Sequence, residues 1–296
     1  LISFFQHTLE RSARLAGVGI HSGRETTLTL HPAPADSGIA FVRSDLSAGE
    51  GFIRATGEAV CDTRLGTVIA NASGAQVSTI EHLMAALAAA GVDNAVIEVD
   101  GPEAPIMDGS AATFLAAIDD AGLRLQSAPR RHIEILEQIE VAGEGNWARL
   151  VPAAQFEVAV EIIFDALAIG HQTLDLVLDE ATFRSDLAHA RTFGFLSEVD
   201  QLRAAGLGRG ASLANTVVVD GERVLNPEAQ RGPDDFVRHK ALDAIGDLYL
   251  LGAPILGRYE ALKPGHALNN RLVRELTASP QAWRVVTRSL ELAAAG

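Results

Sequence analysis

The chain has 296 residues, 48% hydrophobic and 21% charged, enough for two domains of ordinary size with separate cores. A net charge of −14 argues against generic nucleic-acid binding, and the single cysteine, Cys61, excludes intrachain disulfides and thiolate metal clusters, as suits a reducing cytosol. No apolar run reaches the ~20 residues that cross a bilayer and no basic-then-apolar leader is seen, so a cytoplasmic protein with at most peripheral membrane contact is expected.

The first third reads mainly as strands. Thr26, Leu28 and Leu30 alternate with Thr27 and Thr29 across 25–31, and a second strand is predicted at 39–43 after a Pro/Gly turn. A helix is predicted from about 79 to 90, stopped by Gly91. Ser78-x-x-Glu81 at its start matches a capping box, in which Glu81 bonds back to the helix N-terminus. A strand at 95–99 leads through a turn, with Asp108 and Ser110 serving turn and cap, to a helix at 111–121 closed by Gly122.

Ser127-Ala128-Pro129-Arg130-Arg131 marks the expected boundary, giving domains 1–128 and 129–296. Strands resume at 132–136, 147–151 and 156–164. Pro233-Asp234-Asp235 leads into a helix at 236–250, followed by a strand at 255–261, a turn at 263–266 and a helix over about 267–277. The halves echo each other as a weak internal repeat, and strand runs ahead of helices predict an α+β layout. If the helical layers pack together, His82 and His239 meet between the domains.

His239, Asp243 and Asp247 are spaced four apart and share one helix face, with Val237, Ala241, Ala244, Ile245 and Leu248 as an apolar stripe roughly opposite. An imidazole and a carboxylate one turn apart are two metal ligands, and His82, beside Glu81, is the best third. Two histidines and one carboxylate leave an open position that suits catalytic zinc or the Fe(II) of oxygenases. No His-Glu-x-x-His sequence occurs, which argues against a zinc peptidase. The bland alternative is an acidic scaffold or lipid-binding module whose polar helix faces are solvated. Asp247 can orient His266 as an imidazolium; Lys240 and Lys263 otherwise read as surface lysines, and Phe193 and Phe195 as core.

Six segments together resemble the UDP-3-O-acyl-N-acetylglucosamine deacetylases, zinc amidases of lipid A biosynthesis. They are Gly17-Val-Gly-Ile-His-Ser-Gly, Ser78-Thr-Ile-Glu-His-Leu, Pro105-Ile-Met-Asp-Gly-Ser-Ala, Ala190-Arg-Thr-Phe-Gly-Phe, Phe236-Val-Arg-His-Lys-x-Leu-Asp-Ala-Ile-Gly-Asp-Leu and Gly265-His-Ala-Leu-Asn-Asn. The resemblance implies one Zn2+ per chain on His82, His239 and Asp243, with Glu81 as general base and His266, paired with Asp247, as cationic acid. It places Thr192 near the substrate carbonyl, and Lys240 and Lys263 near the polar head of a UDP-linked acyl glucosamine. The resemblance also implies that Phe164 stacks on uracil and that Phe193, Phe195, Val199 and Leu213 line an acyl passage in an element inserted near 190–220.

The implied fold is two similar two-layer α/β sandwiches with mainly antiparallel sheets, helical layers face to face and the site between them. A monomer is expected, with at most transient contact with the inner membrane surface. One departure is that Ile163-Phe-Asp-Ala-Leu-Ala-Ile-Gly stands where many relatives carry Asp-Phe-Asn-His-Pro. Phe164 is retained there without the neighbouring Asn-His-Pro.

Overall fold

The strand order of the first half is repeated in the second. In the computed structural model, which describes residues 4–287, Ala13–Val18, Glu25–Pro32, Ala95–Val99, Ile39–Arg43 and Phe52–Arg54 form a sheet in that order. Its neighbours are antiparallel, except that Ile39–Arg43 runs parallel to Ala95–Val99. Ile139–Ala142, Trp147–Val151, Ile255–Leu262, Phe156–Ile163 and His171–Val177 pair in the matching order, with the parallel pair at the same place. Arg131–Ile135 and Trp283–Thr287 extend this second sheet to seven strands. Residues 1–3 and 288–296, at the outer ends of the two expected domains, lie outside the described residues.

Each central strand lies between two helices in sequence. Helix α1 (Glu81–Ala90) precedes Ala95–Val99 and α2 (Ala112–Ala121) follows it. The short α3 (Glu180–Thr182) and α4 (Val199–Ala204) belong to the long connection of the second half. There α5 (Asp235–Leu248) precedes the strand Ile255–Leu262 and α6 (His266–Ala278) follows it. Helix α1 packs on α5, and α5 on α6, so the two helical layers face each other. The fold is α+β, two sandwiches with mainly antiparallel sheets.

The residue pattern explains why these elements pack this way. Thr26, Leu28 and Leu30 point into the core, and Ile255–Leu262 alternates buried and half-buried side chains along its whole length. Leu83, Met84, Ala85, Ala86 and Leu87 are all buried, as expected of a helix enclosed on every side, and its alanines permit a close helix–helix approach. Gly91 ends α1 in the left-handed conformation, at a φ of 75°, its N–H reaching back to the carbonyls of Leu87 and Ala88.

Three sequence expectations change and one holds. Glu81 forms no capping box: Ile80 is the N-cap, Thr79 is left-handed at φ 59°, and the Ser78 N–H donates to the Pro102 carbonyl. The polar row of helix α5 does face the cleft, with His239 and Asp243 in the cavity wall, and α1 and α6 cover it; His239, Asp243 and Asp247 are 2–3% exposed. His266 is the first residue of α6 rather than part of the preceding turn, with Gly265 as N-cap. The stretch expected as a break is nearly all strand: Leu123–Pro129 pairs with Phe5–Leu9, and Arg131–Ile135 begins after Arg130 alone.

Candidate active site

The cleft between the helical layers encloses a cavity of about 460 Å³. Its floor comes from matching helices, His82 from the first turn of α1 and His239 and Asp243 from α5. Asp243 Oδ1 lies 3.4 Å from His82 Nε2 and 3.3 Å from His239 Nε2. One ligand atom from each of the three residues falls within 4.8 Å of the others. Ligand atoms ~2.1 Å from a shared tetrahedral centre stand about 3.4 Å apart, so both N···O separations match a common ion.

The surroundings favour the same reading. Asp243 Oδ1 is buried with no hydrogen-bond donor among the described residues, an orphaned acceptor that a cation would satisfy. His239 Nδ1 faces the Ala190 carbonyl at 3.2 Å, which keeps the proton on Nδ1 and leaves the Nε2 lone pair free. His82 Nδ1 has no such partner among the described residues. Burial lowers the His239 pKa to about 3, against the pull of Asp243, so the ring is neutral and able to ligate. Burial also opposes ionisation of Asp243, but His239 and Lys240 outweigh it and hold the carboxyl well below its usual range. With His239 neutral at pH 7, the cation bonded to the carboxylate is Lys240, whose Nζ donates to Asp243 Oδ2 at 2.9 Å, and His266 adds to its pull.

A second pair of titratable groups flanks this cluster. Glu81 is 3% exposed, and because it does not cap α1 its carboxylate faces the cavity, with Oε2 accepting the Thr67 N–H at 2.9 Å. Burial raises its pKa, with His266 and His82 opposing. His266 Nδ1 lies 2.9 Å from Asp247 Oδ2. Burial and a helix N-terminus both disfavour a cation there, yet Asp247 and Glu81 prevail and push His266 up to about 9. Asp247 is fixed in turn by Asn269 Nδ2 at 2.9 Å and by the Thr67 hydroxyl at 2.5 Å, and Tyr259 holds Asn269.

The backbone around the cleft is strained. Of the five non-glycine residues in the left-handed region among the described residues, Leu65, Thr79 and Lys263 line the cavity and Met107 adjoins its wall at Ile106. Such conformations concentrate where surrounding structure overrides local preference, commonly at functional sites.

The inserted element supplies the roof. Phe193–Phe195 pairs with Val217–Asp220, itself paired with Arg223–Val224. Phe164, Phe193 and Phe195 form an aromatic cluster with centroids 5.7–6.3 Å apart, and the Lys240 ammonium sits 5.5 Å from the Phe193 ring centre. Thr192 also faces the cavity, its N–H donating to the Gly109 carbonyl at 2.8 Å. Gly109, at φ 87°, allows that approach: a Cβ there would sit 2.0 Å from the Asn215 carbonyl oxygen.

The cavity thus gathers Glu81, His82, Thr192, His239, Lys240, Asp243, Lys263, His266 and the three phenylalanines, with Asp247 directly behind His266. Val199 and Leu213 are not part of its wall. Leu202, three residues along α4 from Val199, lines it, and Leu213 is 56% exposed. Sequence reasoning passed over Leu202, Thr67 and Asn269. Asn269 lies inside the Gly265-His-Ala-Leu-Asn-Asn motif, whereas nothing in the pattern around Thr67 marks it.

A duplicated α+β fold with an open two-histidine, one-aspartate cluster between its helical layers, flanked by a carboxylate and an imidazole, is the layout of a metal-dependent hydrolase. A sequence profile of the LpxC family, UDP-3-O-acyl N-acetylglycosamine deacetylase, matches residues 6–278. Curated proteins named UDP-3-O-acyl-N-acetylglucosamine deacetylase align over nearly the whole chain. The protein of Phenylobacterium zucineum is 60% identical over 291 residues, 98% of this chain and 99% of its own length. Those of Myxococcus xanthus and Neisseria meningitidis are 48% and 47% identical, covering 96% and 94% of this chain and 90% and 92% of theirs. The chain belongs to the UDP-3-O-acyl N-acetylglycosamine deacetylase family.

Proposed function

We propose that this chain hydrolyses the N-acetyl group of UDP-3-O-acyl-N-acetylglucosamine, releasing acetate, as a step of lipid A biosynthesis. The observation that carries this is 60% identity across 291 residues to a protein of that name, joined to a buried His82–His239–Asp243 cluster. A non-enzymatic scaffold with solvated helix faces is disfavoured, since those polar faces are buried.

His82, His239 and Asp243 would hold one Zn2+, a choice that two imidazoles and one carboxylate suit. The ion would supply Lewis acidity for the acetamide carbonyl and lower the pKa of a water toward roughly 7. Glu81, with Oε2 tied to Thr67, has Oε1 to take that water's proton. The Thr192 hydroxyl donates to the developing oxyanion. His266 is held through Nδ1 by Asp247, so its Nε2–H protonates the departing amine, which cannot leave as an anion.

Lys240 and Lys263 offset the acidic protein's field near the substrate's polar head. Phe164 stacks on the uracil without the Asn-His-Pro found in many relatives, and the acyl chain runs past Phe193, Phe195 and Leu202. The same reading divides the chain at 128/129 and takes the protein as a cytoplasmic monomer. Among the described residues no helix is long and apolar enough to cross a membrane. Elemental analysis of the purified protein beside an acetate-release assay on the UDP-linked substrate tests this. Deacetylation with zinc bound is expected; an iron-loaded protein with oxygen-dependent turnover would overturn it.

A further inference from the structure

Thr67 is 1% exposed and lies just ahead of the strand Val68–Ala70, which pairs on both sides. Its backbone N–H donates to Glu81 Oε2 at 2.9 Å, and its hydroxyl donates to Asp247 Oδ1 at 2.5 Å. One residue therefore grips the carboxylate beside the metal cluster and the carboxylate that orients His266. Gly66 makes room for this: a Cβ there would sit 3.2 Å from Glu81 Oε1, and Leu65, at φ 62°, turns the chain inward just before it.

The bonds divide by atom. Asp247 Oδ2 receives His266 and Asn269, and Oδ1 receives Thr67. Oxygen–oxygen distances of this length mark charge-assisted bonds, which are stronger and more directional than neutral ones. Without the hydroxyl, Asp247 loses its only side-chain donor on Oδ1 among the described residues, its carboxylate can rotate, and the His266 ring loses its fixed direction. Thr67 does not line the cavity.

We infer that Thr67 is a positioning residue that locks Glu81 and the Asp247–His266 pair into one frame, setting turnover without contributing to substrate binding. The inference rests on the deacetylase reading. Thr67→Val removes the hydroxyl while keeping shape and the backbone N–H, and Thr67→Ser restores a hydroxyl. In the zinc-loaded enzyme, Thr67→Val is expected to lower kcat about 10- to 100-fold with KM within about twofold of the unaltered enzyme. Metal content should stay unchanged, and Thr67→Ser should recover most of the rate. Should the valine variant not fold, Thr67→Ala gives the same comparison with serine.

An unaltered kcat in Thr67→Val, a serine variant as slow as valine, or a rate loss matched by metal loss would each overturn the assignment. The downfield proton resonance of His266 Nδ1–H reads the coupling without turnover, and should shift in Thr67→Val but not in Thr67→Ser. This resonance pattern in the two variants, with no acetate released by the unaltered protein, would defeat the deacetylase reading alone.

Discussion

Gly246 of α5 lies against the backbone of Glu81 in α1: a Cβ on Gly246 would fall 2.0 Å from the Glu81 carbonyl oxygen. This close helix crossing brings His82 to Asp243, one turn before Gly246. Gly246→Ala must push the helices apart, since the obstructing atom is backbone. Overpacking of this kind costs about 1–3 kcal/mol or more. The expected result is a lower Tm with a lower metal content per chain; alanine at 246 with normal metal loading would show that the crossing tolerates expansion.

Asp243→Ala and His239→Ala should each reduce bound metal from about one ion per chain to near none, as measured by elemental analysis. Asp243→Ala also leaves the half-buried Lys240 without its carboxylate partner. Its stability should therefore fall further than that of His239→Ala, and equal Tm values would refute this ordering.

Glu81→Gln keeps the size and the Thr67 bond but cannot take a proton. It should lower kcat about 10²- to 10⁴-fold, the range of a general base, with metal retained. A variant turning over normally would remove Glu81 from proton transfer.

Activity should be bell-shaped in pH. The acid limb requires ionised Glu81, raised above the ordinary carboxylate range by burial, and the alkaline limb requires protonated His266, with its pKa near 9. Because the folded-state pKa of His266 is raised, its contribution to stability is complete below about 6.5, the usual histidine value, and is lost as pH rises through about 9. His266→Gln should abolish the alkaline limb and flatten stability between those pH values. An unchanged alkaline limb in that variant would assign it to another group.

Leu202 faces the cavity beside Gly208, where a Cβ would lie 3.8 Å from the Leu202 Cβ. Leu202→Phe should raise KM for long-acyl substrates by about tenfold while leaving kcat on short-acyl ones nearly unchanged, as expected for added bulk in an apolar passage. Kinetics across an acyl-length series would check this; a uniform effect at all lengths would move the passage elsewhere.

Much of this protein was legible along the chain because its periods are local. Alternation at 25–31 placed a strand, Gly91 and Gly122 ended helices, and the four-residue spacing put His239, Asp243 and Asp247 on one face. The echo between halves was visible as element order and proved to be a shared strand order and direction. Such signals depend only on neighbours a few positions apart, and they specified the metal candidates before any packing was known.

Only tertiary structure decided what each side chain meets. Ser78-x-x-Glu81 has the spacing of a capping box, but Thr67, brought in from the segment just ahead of the strand Val68–Ala70, takes the Glu81 carboxylate at the cleft. The same threonine binds Asp247, 180 residues away. Leu202, not Val199, lines the cavity, and which residue of a short helix faces a cleft depends on packing that the sequence does not print. Contacts between distant segments carry no period, so they become readable only when the helical layers close on each other and each buried donor has to find an acceptor.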